Sequence, residues 1–200
     1  MSYGRLTATQ RAALRPYVEG KQVHDLGAGD GEMSLTLVDL GAAQVIAVEE
    51  MHFDPTFLRK DPRIRREVRK FKTYAGTMPV YGVTIDVAFV SWPDNRVDEG
   101  LLALVNAARV VAYLGKNTDG TACGDPFFWA SLTLRPVAAY APDRSNTLIV
   151  YSEARNPVPY YPLRGEEKAA FSRVKIMTYE EAEGLPPQEP LPPFAMPEEI

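Results

Sequence analysis

The sequence predicts an α/β fold, because short apolar stretches that fit buried strands alternate along the chain with stretches of helical periodicity. The clearest early strand is followed at once by a turn that holds three glycines and then by a helix. Two strand-like stretches close to residue 150 are separated by a short, turn-rich loop and predict a hairpin. The length of 200 residues allows a full hydrophobic core. We therefore expect one α/β domain over residues 1–155.

The domain is organised around the segment from Val23 to Glu50. A buried strand, a glycine-rich turn, an amphipathic helix and a second strand follow one another at Val23–Leu26, Gly27–Gly31, Glu32–Leu40 and Val45–Val48. Gly41 stands where a helix C-cap is expected, and Glu49 and Glu50 end the second strand. Glycines let the backbone approach a ligand closely, and an acid at this place accepts hydrogen bonds from ribose hydroxyls. The segment therefore predicts a site for a nucleoside cofactor.

The charge around this turn favours a cationic ligand over a dinucleotide. Gly27 and Gly29 match the first two glycines of the dinucleotide fingerprint G-x-G-x-x-G, but Glu32 occupies the third position. Five carboxylates frame the expected pocket, at Asp25, Asp30, Glu32, Glu49 and Glu50. They repel a pyrophosphate, which would have to bind at the helix N-terminus. The alternative is a turn that binds nothing, although such a turn needs neither three alternating glycines nor the acids.

The stretch Asp25-Leu26-Gly27-Ala28-Gly29-Asp30-Gly31 resembles the D/E-x-G-x-G-x-G motif of class I S-adenosylmethionine-dependent methyltransferases. The resemblance covers roughly residues 10–153 and implies a Rossmann-like, doubly wound sheet of seven strands. In that family the sheet is mostly parallel, its last strand is antiparallel, and helices cover both faces. The implied cofactor is S-adenosylmethionine, whose sulfonium and ammonium groups suit an acidic pocket.

The remaining elements are predicted from apolar periodicity and capping residues. Before the glycine-rich turn, a helix runs from Thr7 or Thr9 to Val18. After it we expect a short helix, two strands, a helix and a strand, at Asp54–Lys60, Val68–Tyr74, Thr84–Ser91, Val97–Ala108 and Arg109–Leu114. A polar loop, a short helix and the two hairpin strands follow, at Gly115–Asp125, Phe127–Leu134, Val137–Ala141 and Thr147–Ser152.

The resemblance also implies roles for residues at the carboxyl ends of the strands. The methionine part of the cofactor would be held by Asp25, Gly27, Ala28, Gly29 and Gly31. Glu49 would bind the ribose, and Glu50 is the alternative because their order at the strand end is ambiguous by one residue. Tyr74 and Ala75 would border the adenine, and Ser91 would contact the cofactor from the fourth strand.

The segment Ser91-Trp92-Pro93-Asp94-Asn95 stands where amino-methyltransferases carry D/N/S-P-P-Y/F/W. Its second and fourth positions, Trp92 and Asp94, depart from that pattern, which puts methylation of a base amine in doubt. Asp94, Ser91 and Asn95 are still the candidate catalytic residues, with Asp94 accepting a proton or orienting the acceptor. Trp92 is the candidate substrate-binding residue, because an indole stacks on planar or cationic groups. The alternative is a core tryptophan followed by an ordinary turn.

Composition argues against several other classes of protein. No apolar run reaches the ~20 residues that a membrane span needs, and the first residues lack the pattern of a secretory signal. Cys123 is the only cysteine and is read as structural. Only His24 and His52 are present, so no metal site is expected, and His24 is read as a core histidine. We expect a cytoplasmic protein.

Charge is distributed unevenly along the chain, whose formal net charge is -4. Arg59–Lys72 carries eight basic residues against Asp61 and Glu67, and a Pro-rich, acidic extension over residues 156–200 is expected to be partly disordered. The extension folds back over the basic stretch, or the basic stretch meets an anionic partner, or both are solvated surface.

Three functions are compatible with these observations. The leading one is an S-adenosylmethionine-dependent methyltransferase that acts on a small molecule. The second is a noncatalytic protein of the same fold that binds S-adenosylmethionine or a partner protein. The third is a nucleic-acid methyltransferase that uses Arg59–Lys72 to contact phosphates. The sequence gives no oligomeric state.

Overall fold

The computed structural model describes residues 5–50, 61–81, 84–93, 98–115, 132–140 and 146–152. The elements in chain order are α1 (Ala8–Val18), β1 (Gln22–Leu26), α2 (Glu32–Asp39), β2 (Gln44–Glu49), β3 (Ile64–Val68), α3 (Phe71–Tyr81), β4 (Ile85–Ser91), α4 (Glu99–Asn106), β5 (Ala108–Gly115), β6 (Arg135–Tyr140) and β7 (Thr147–Ser152). The strands form one sheet of seven in the order β3-β2-β1-β4-β5-β7-β6. From β3 across to β5 all neighbours are parallel, and β7 lies antiparallel between β5 and β6. The prediction of an α/β fold with a mostly parallel sheet is confirmed.

The strand order reverses at β1, because the chain continues to β2 and β3 on one side of it and to β4 and β5 on the other. Leu26, the last residue of β1, lies beside Val48 of β2 and Val90 of β4. In open α/β sheets, ligands bind at the carboxyl ends of the strands where the order reverses in this way. The glycine-rich turn directly follows β1, so the fold places it in this crevice.

Helices cover both faces of the sheet. The face that carries α1 and α2 is packed by residues such as Leu14, Val18, Leu37, Val45 and Phe89. The opposite face, beneath α3 and α4, is packed by residues such as Tyr74, Met78, Leu104, Ile46 and Val90. Because successive strand residues point to opposite faces, Asp25 lies on the α1/α2 face, while His24 and Leu26 lie on the α3/α4 face.

The first helix begins where the sequence predicts a cap. The Thr7 hydroxyl accepts the backbone N–H of Gln10 at 3.3 Å, and the Gln10 side chain accepts the backbone N–H of Thr7 at 3.1 Å. This reciprocal pair satisfies two donors at the helix start. The Gln10 amide also donates to the carbonyl of Asn146 at 2.8 Å, which ties α1 to the residue before β7.

The third strand does not lie where we predict it. β3 ends at Val68 and residues 71–81 form α3, so a strand over Val68–Tyr74 is wrong. β3 is an edge strand that pairs with β2 alone, and none of its residues is buried, which is why it lacks an apolar run. The helical signal is nevertheless in the sequence: residues at i, i+3, i+4 and i+7 pack against one core, at Phe71, Tyr74, Ala75 and Met78.

Most other elements agree with the predictions. The first helix, the strands over residues 84–91 and 109–114 and the hairpin are confirmed, with β6 beginning two residues before its predicted start. Helix α4 is shorter than predicted, because the Asp98 side chain accepts the Leu101 N–H at 2.8 Å and begins the helix there. Several predicted segments lie outside the described residues. They are the helix at residues 54–60, the loop after residue 115, residues 127–131 of the helix over 127–134 and the extension over 156–200. Leu132, Thr133 and Leu134 are described and are not helical.

None of the helices in the described ranges combines the length and hydrophobicity that crossing a bilayer requires.

Candidate functional site

The turn after β1 has a backbone that requires glycine. Gly27, Gly29 and Gly31 all have positive φ, of 84°, 55° and 90°. The N–H groups of Gly27 and Ala28 both donate to the carbonyl of Val48, at 2.9 and 3.2 Å, which fixes the turn to the end of β2. A Cβ built on Gly27 or Gly29 would meet no atom within 4 Å. The backbone conformation therefore demands glycine at these positions, and open space lies beside the turn for a ligand.

The two acids at the end of β2 have different environments. One carboxylate oxygen of Glu49 accepts the N–H of Gly29 at 2.8 Å, and the other accepts the N–H of Glu50 at 2.7 Å. Glu50 instead turns towards α3, where its carboxylate accepts the N–H of Phe71 at 2.9 Å and caps that helix. The sequence leaves open whether Glu49 or Glu50 is placed to bind a ribose. The structure favours Glu49, because Glu49 lies against the glycine-rich turn whereas Glu50 caps α3.

Asp25 lies beneath the turn and is fully buried. Its Oδ2 accepts the hydroxyl proton of Ser34 in α2 at 2.6 Å, while its Oδ1 has no hydrogen-bond partner among the described residues. Burial, with a smaller contribution from the charges of Glu49 and Asp30, raises the pKa of this carboxyl to about 7, while the Ser34 hydrogen bond opposes the shift. Ser34 is a site residue that sequence reasoning missed, although a hydroxyl on the inner face of the following helix is the kind of signal that could have found it.

The start of α2 is already occupied by carboxylates. Gly31 is the N-cap residue and supplies no side chain, and the Asp30 carboxylate accepts the N–H of Glu32 at 3.1 Å. The Glu32 carboxylate pairs with the Arg5 guanidinium at 2.8 Å. A helix start of this kind is unsuited to a pyrophosphate, because an anion would meet Asp30 where it needs a free N–H group.

Tyr74 and Ala75 are not at a strand end. Both lie in α3, where the Tyr74 ring is 5% exposed and stands 6.0 Å from the His24 ring, centroid to centroid. Tyr74 is therefore part of the core, and Ala75 packs against the same core. The residues that leave β3 beside the crevice are Arg69 and Lys70, since the Arg69 N–H donates to the carbonyl of Glu49 at 3.0 Å.

His24 is the core residue that the sequence suggests. It is fully buried, and burial together with the nearby Arg65 charge lowers the pKa of its imidazole to about 4. Within the described ranges, no cluster of three or more His, Cys, Asp or Glu residues could hold a metal ion.

The end of β4 brings two of the predicted acceptor-site residues to the crevice. Ser91 ends the strand, and the Trp92 N–H donates to the carbonyl of Leu114 at 2.8 Å, next to the end of β5. Trp92 has φ of 49°, a strained conformation for a bulky residue, and its indole N–H has no partner among the described residues. Asp94 and Asn95 lie outside the described residues, so their predicted roles stay predictions.

The sequence matches no protein-family model and no curated protein. Solved structures do match. A candidate RNA methyltransferase from Pyrococcus horikoshii aligns at a TM-score of 0.55 and 16% identity, over 74% of this chain and 84% of that chain. A candidate methyltransferase from Escherichia coli aligns at 0.54 and 16% identity, over 74% and 85% of the two chains. A candidate S-adenosylmethionine-dependent methyltransferase from Streptococcus mutans aligns at 0.54 and 10% identity, over 70% and 47%. At these identities the likeness establishes a shared fold, the class I methyltransferase fold.

Proposed function

We propose that this protein is an S-adenosylmethionine-dependent methyltransferase. The observation that carries the proposal is the acidic glycine-rich turn, in which Glu49 lies 2.8 Å from the Gly29 N–H and Asp25 is buried beneath. A nicotinamide dinucleotide is the natural competitor for such a fold, but Asp30 takes the helix-start N–H that its pyrophosphate would use. A ligand with sulfonium and ammonium charges is favoured by the same carboxylates.

Within this proposal, each part of the cofactor has a protein counterpart. The backbone of Gly27–Gly31 and the charge of Asp25 hold the methionine part, and Glu49 accepts hydrogen bonds from the ribose hydroxyls. The adenine borders the turn between β3 and α3, where Arg69 contacts the backbone of Glu49. We favour this border over the predicted one at Tyr74 and Ala75, because Tyr74 is buried in the core and Ala75 packs against it.

The chemistry needs alignment more than covalent participation. The sulfonium is already activated, so the protein must hold the acceptor in line with the methyl group and help remove a proton. Ser91 and Trp92 lie at the end of β4 and are the residues proposed to orient the acceptor. Asp94 is the proposed proton acceptor, with Asn95 beside it in sequence.

A small-molecule acceptor is favoured over nucleic acid. In the described part of Arg59–Lys72, Arg63 pairs with Asp61 at 2.7 Å, and Arg65 and Arg69 both pair with Glu67. These arginines are thereby partly neutralised, which weakens the attraction that a phosphate backbone would need. The departures of Trp92 and Asp94 from the amino-methyltransferase pattern point the same way.

Methyl transfer from radiolabelled S-adenosylmethionine to a fractionated cell extract tests the proposal. We expect label in the small-molecule fraction, and we expect it to resist nuclease and protease treatment. Asp94→Asn should lower turnover by a factor on the order of 10² to 10⁴ with little change in cofactor affinity, as for the loss of a general base. Trp92→Ala should raise the acceptor concentration needed for half-maximal rate.

The same assay separates the alternatives. Label in a nuclease-sensitive fraction would support the nucleic-acid methyltransferase. Cofactor binding without transfer to any fraction would support the noncatalytic protein of this fold. Asp39→Asn, on the exposed last residue of α2, removes a carboxylate away from the crevice and should match the parent in every fraction.

A further inference from the structure

The buried Asp25–Ser34 pair has one feature that holding the cofactor does not explain. A carboxylate that is sealed from water normally has several donors or a cation to compensate its charge. Asp25 receives one hydrogen bond, from Ser34, and its second oxygen has no partner among the described residues. An ionised carboxylate in this position carries an uncompensated charge, whereas a neutral carboxyl does not.

Among the described residues, the groups that pack around Asp25 do not supply a positive charge. Within the sheet its neighbours are Ala47 of β2 and Phe89 of β4, both apolar. From α2 it meets Ser34, and the charges that act on it, those of Glu49 and Asp30, are both negative.

Two arginines lie close to α2, but both contact residues of that helix other than Ser34 and neither pairs with Asp25. Arg5 pairs with Glu32, and Arg11 donates to the Thr36 hydroxyl at 3.4 Å. Burial and like charges together raise the pKa of Asp25 to about 7, so this carboxyl is mostly protonated below neutral pH and loses its proton as pH rises through neutrality.

We propose that the Asp25–Ser34 pair makes the site selective for net positive charge, because binding of a cationic ligand at the glycine-rich turn expels the proton from Asp25. A cation beside the turn stabilises the carboxylate form, and by linkage the carboxylate form binds that cation more tightly. This inference rests on the proposed function, because it concerns the same ligand.

The pair would then distinguish the cofactor from its product. S-adenosylmethionine carries a net charge of +1 at neutral pH, and S-adenosylhomocysteine, which has lost the sulfonium charge, carries none. Both ligands present an ammonium group, but only the cofactor adds a second positive charge. Proton release is therefore larger for the cofactor, and reprotonation of Asp25 after methyl transfer favours departure of the product.

Isothermal titration calorimetry of the full chain, in two buffers of different ionisation enthalpy, counts the protons released on binding. For S-adenosylmethionine we expect roughly one proton released per ligand at pH 6, and a number close to zero at pH 8.5. In the acidic range, the affinity should fall by up to about tenfold for each unit by which the pH is lowered. For S-adenosylhomocysteine we expect fewer protons at every pH. Heats that are the same in both buffers, or equal proton counts for the two ligands, would overturn the inference.

Two variants and one control assign the proton. Asp25→Asn should remove the buffer dependence, and Ser34→Ala should move its midpoint to higher pH, because it deletes the hydrogen bond that favours the carboxylate. Ser34→Ala keeps the test available if Asp25→Asn fails to fold, and an unmoved midpoint in that variant counts against the pair. Asp39→Asn should release protons as the parent does. Absence of any binding heat in the parent would instead refute the proposed function, on which this inference depends.

Discussion

Replacing Asp25 by Asn should stabilise the protein, and by an amount that depends on pH. The carboxyl has a pKa of about 7 in the folded protein, against 3.8 when unperturbed. Between these values the folded state binds more protons than the unfolded state, so the free energy of unfolding of the parent falls as pH rises from about 4 to about 7. The difference of about 3 in pKa corresponds to ~4 kcal/mol, which is an upper bound because a buried site relaxes when it ionises.

Asn has nearly the shape of a neutral carboxyl and can still accept the Ser34 hydrogen bond, but it does not ionise. Urea denaturation at about pH 3.5, below both pKa values, should therefore give similar free energies of unfolding for the parent and Asp25→Asn. At pH 8.5 the variant should be more stable by roughly 2–4 kcal/mol. The difference in stability between Asp39→Asn and the parent should show no comparable dependence on pH. A parent whose stability does not fall between pH 5 and 8.5, or a variant that is less stable than the parent at pH 8.5, would show that Asp25 is not a buried carboxyl with a raised pKa.

Gly29→Val should abolish cofactor binding in calorimetry, since φ of 55° strains a β-branched residue and its side chain would enter the space beside the turn; binding at parental affinity would place the ligand elsewhere. Glu49→Gln should weaken S-adenosylmethionine binding by about tenfold or more, whereas Glu50→Gln should leave affinity within about threefold and lower the melting temperature by a few degrees; the reverse pattern would exchange the two roles. Gly100→Ala should destabilise by roughly 1–3 kcal/mol or more in urea, because its Cβ would clash with the backbone nitrogen of Lys72, while the control Gly76→Ala, in open space within α3, should be neutral or stabilising; equal stabilities would contradict the helix contact.

The sequence was sufficient to predict the crevice, because the glycine-rich turn and the strands beside it are indicated by residues close together in the chain. Three alternating glycines, a buried strand before them and an acid after the next strand are short-range features, and the structure joins them through bonds such as Gly27 N–H to the carbonyl of Val48. The distinction between Glu49 and Glu50 depends instead on where α3 begins, which is a long-range feature. It could not be read from two adjacent glutamates.

The errors come from residues whose neighbours lie far along the chain. β3 is charged and unburied because it lies at a sheet edge, so its strand signal is weak and the predicted strand shifts into α3. Tyr74 consequently lies in a helix, in the core beside His24, and not at a strand end. The Asp25–Ser34 bond was missed for a different reason, because the Ser34 hydroxyl on the inner face of the following helix was not considered as a partner for Asp25.

Calorimetric titration of the parent protein with S-adenosylmethionine and, separately, with NAD at pH 8 tests the central claim most directly. We expect one saturable site for S-adenosylmethionine, weakened by Glu49→Gln and unchanged by Asp39→Asn, and no heat with NAD. Saturable binding of NAD without any S-adenosylmethionine signal would contradict it, because the acidic turn would then accept the pyrophosphate that Asp30 and Asp25 are inferred to exclude.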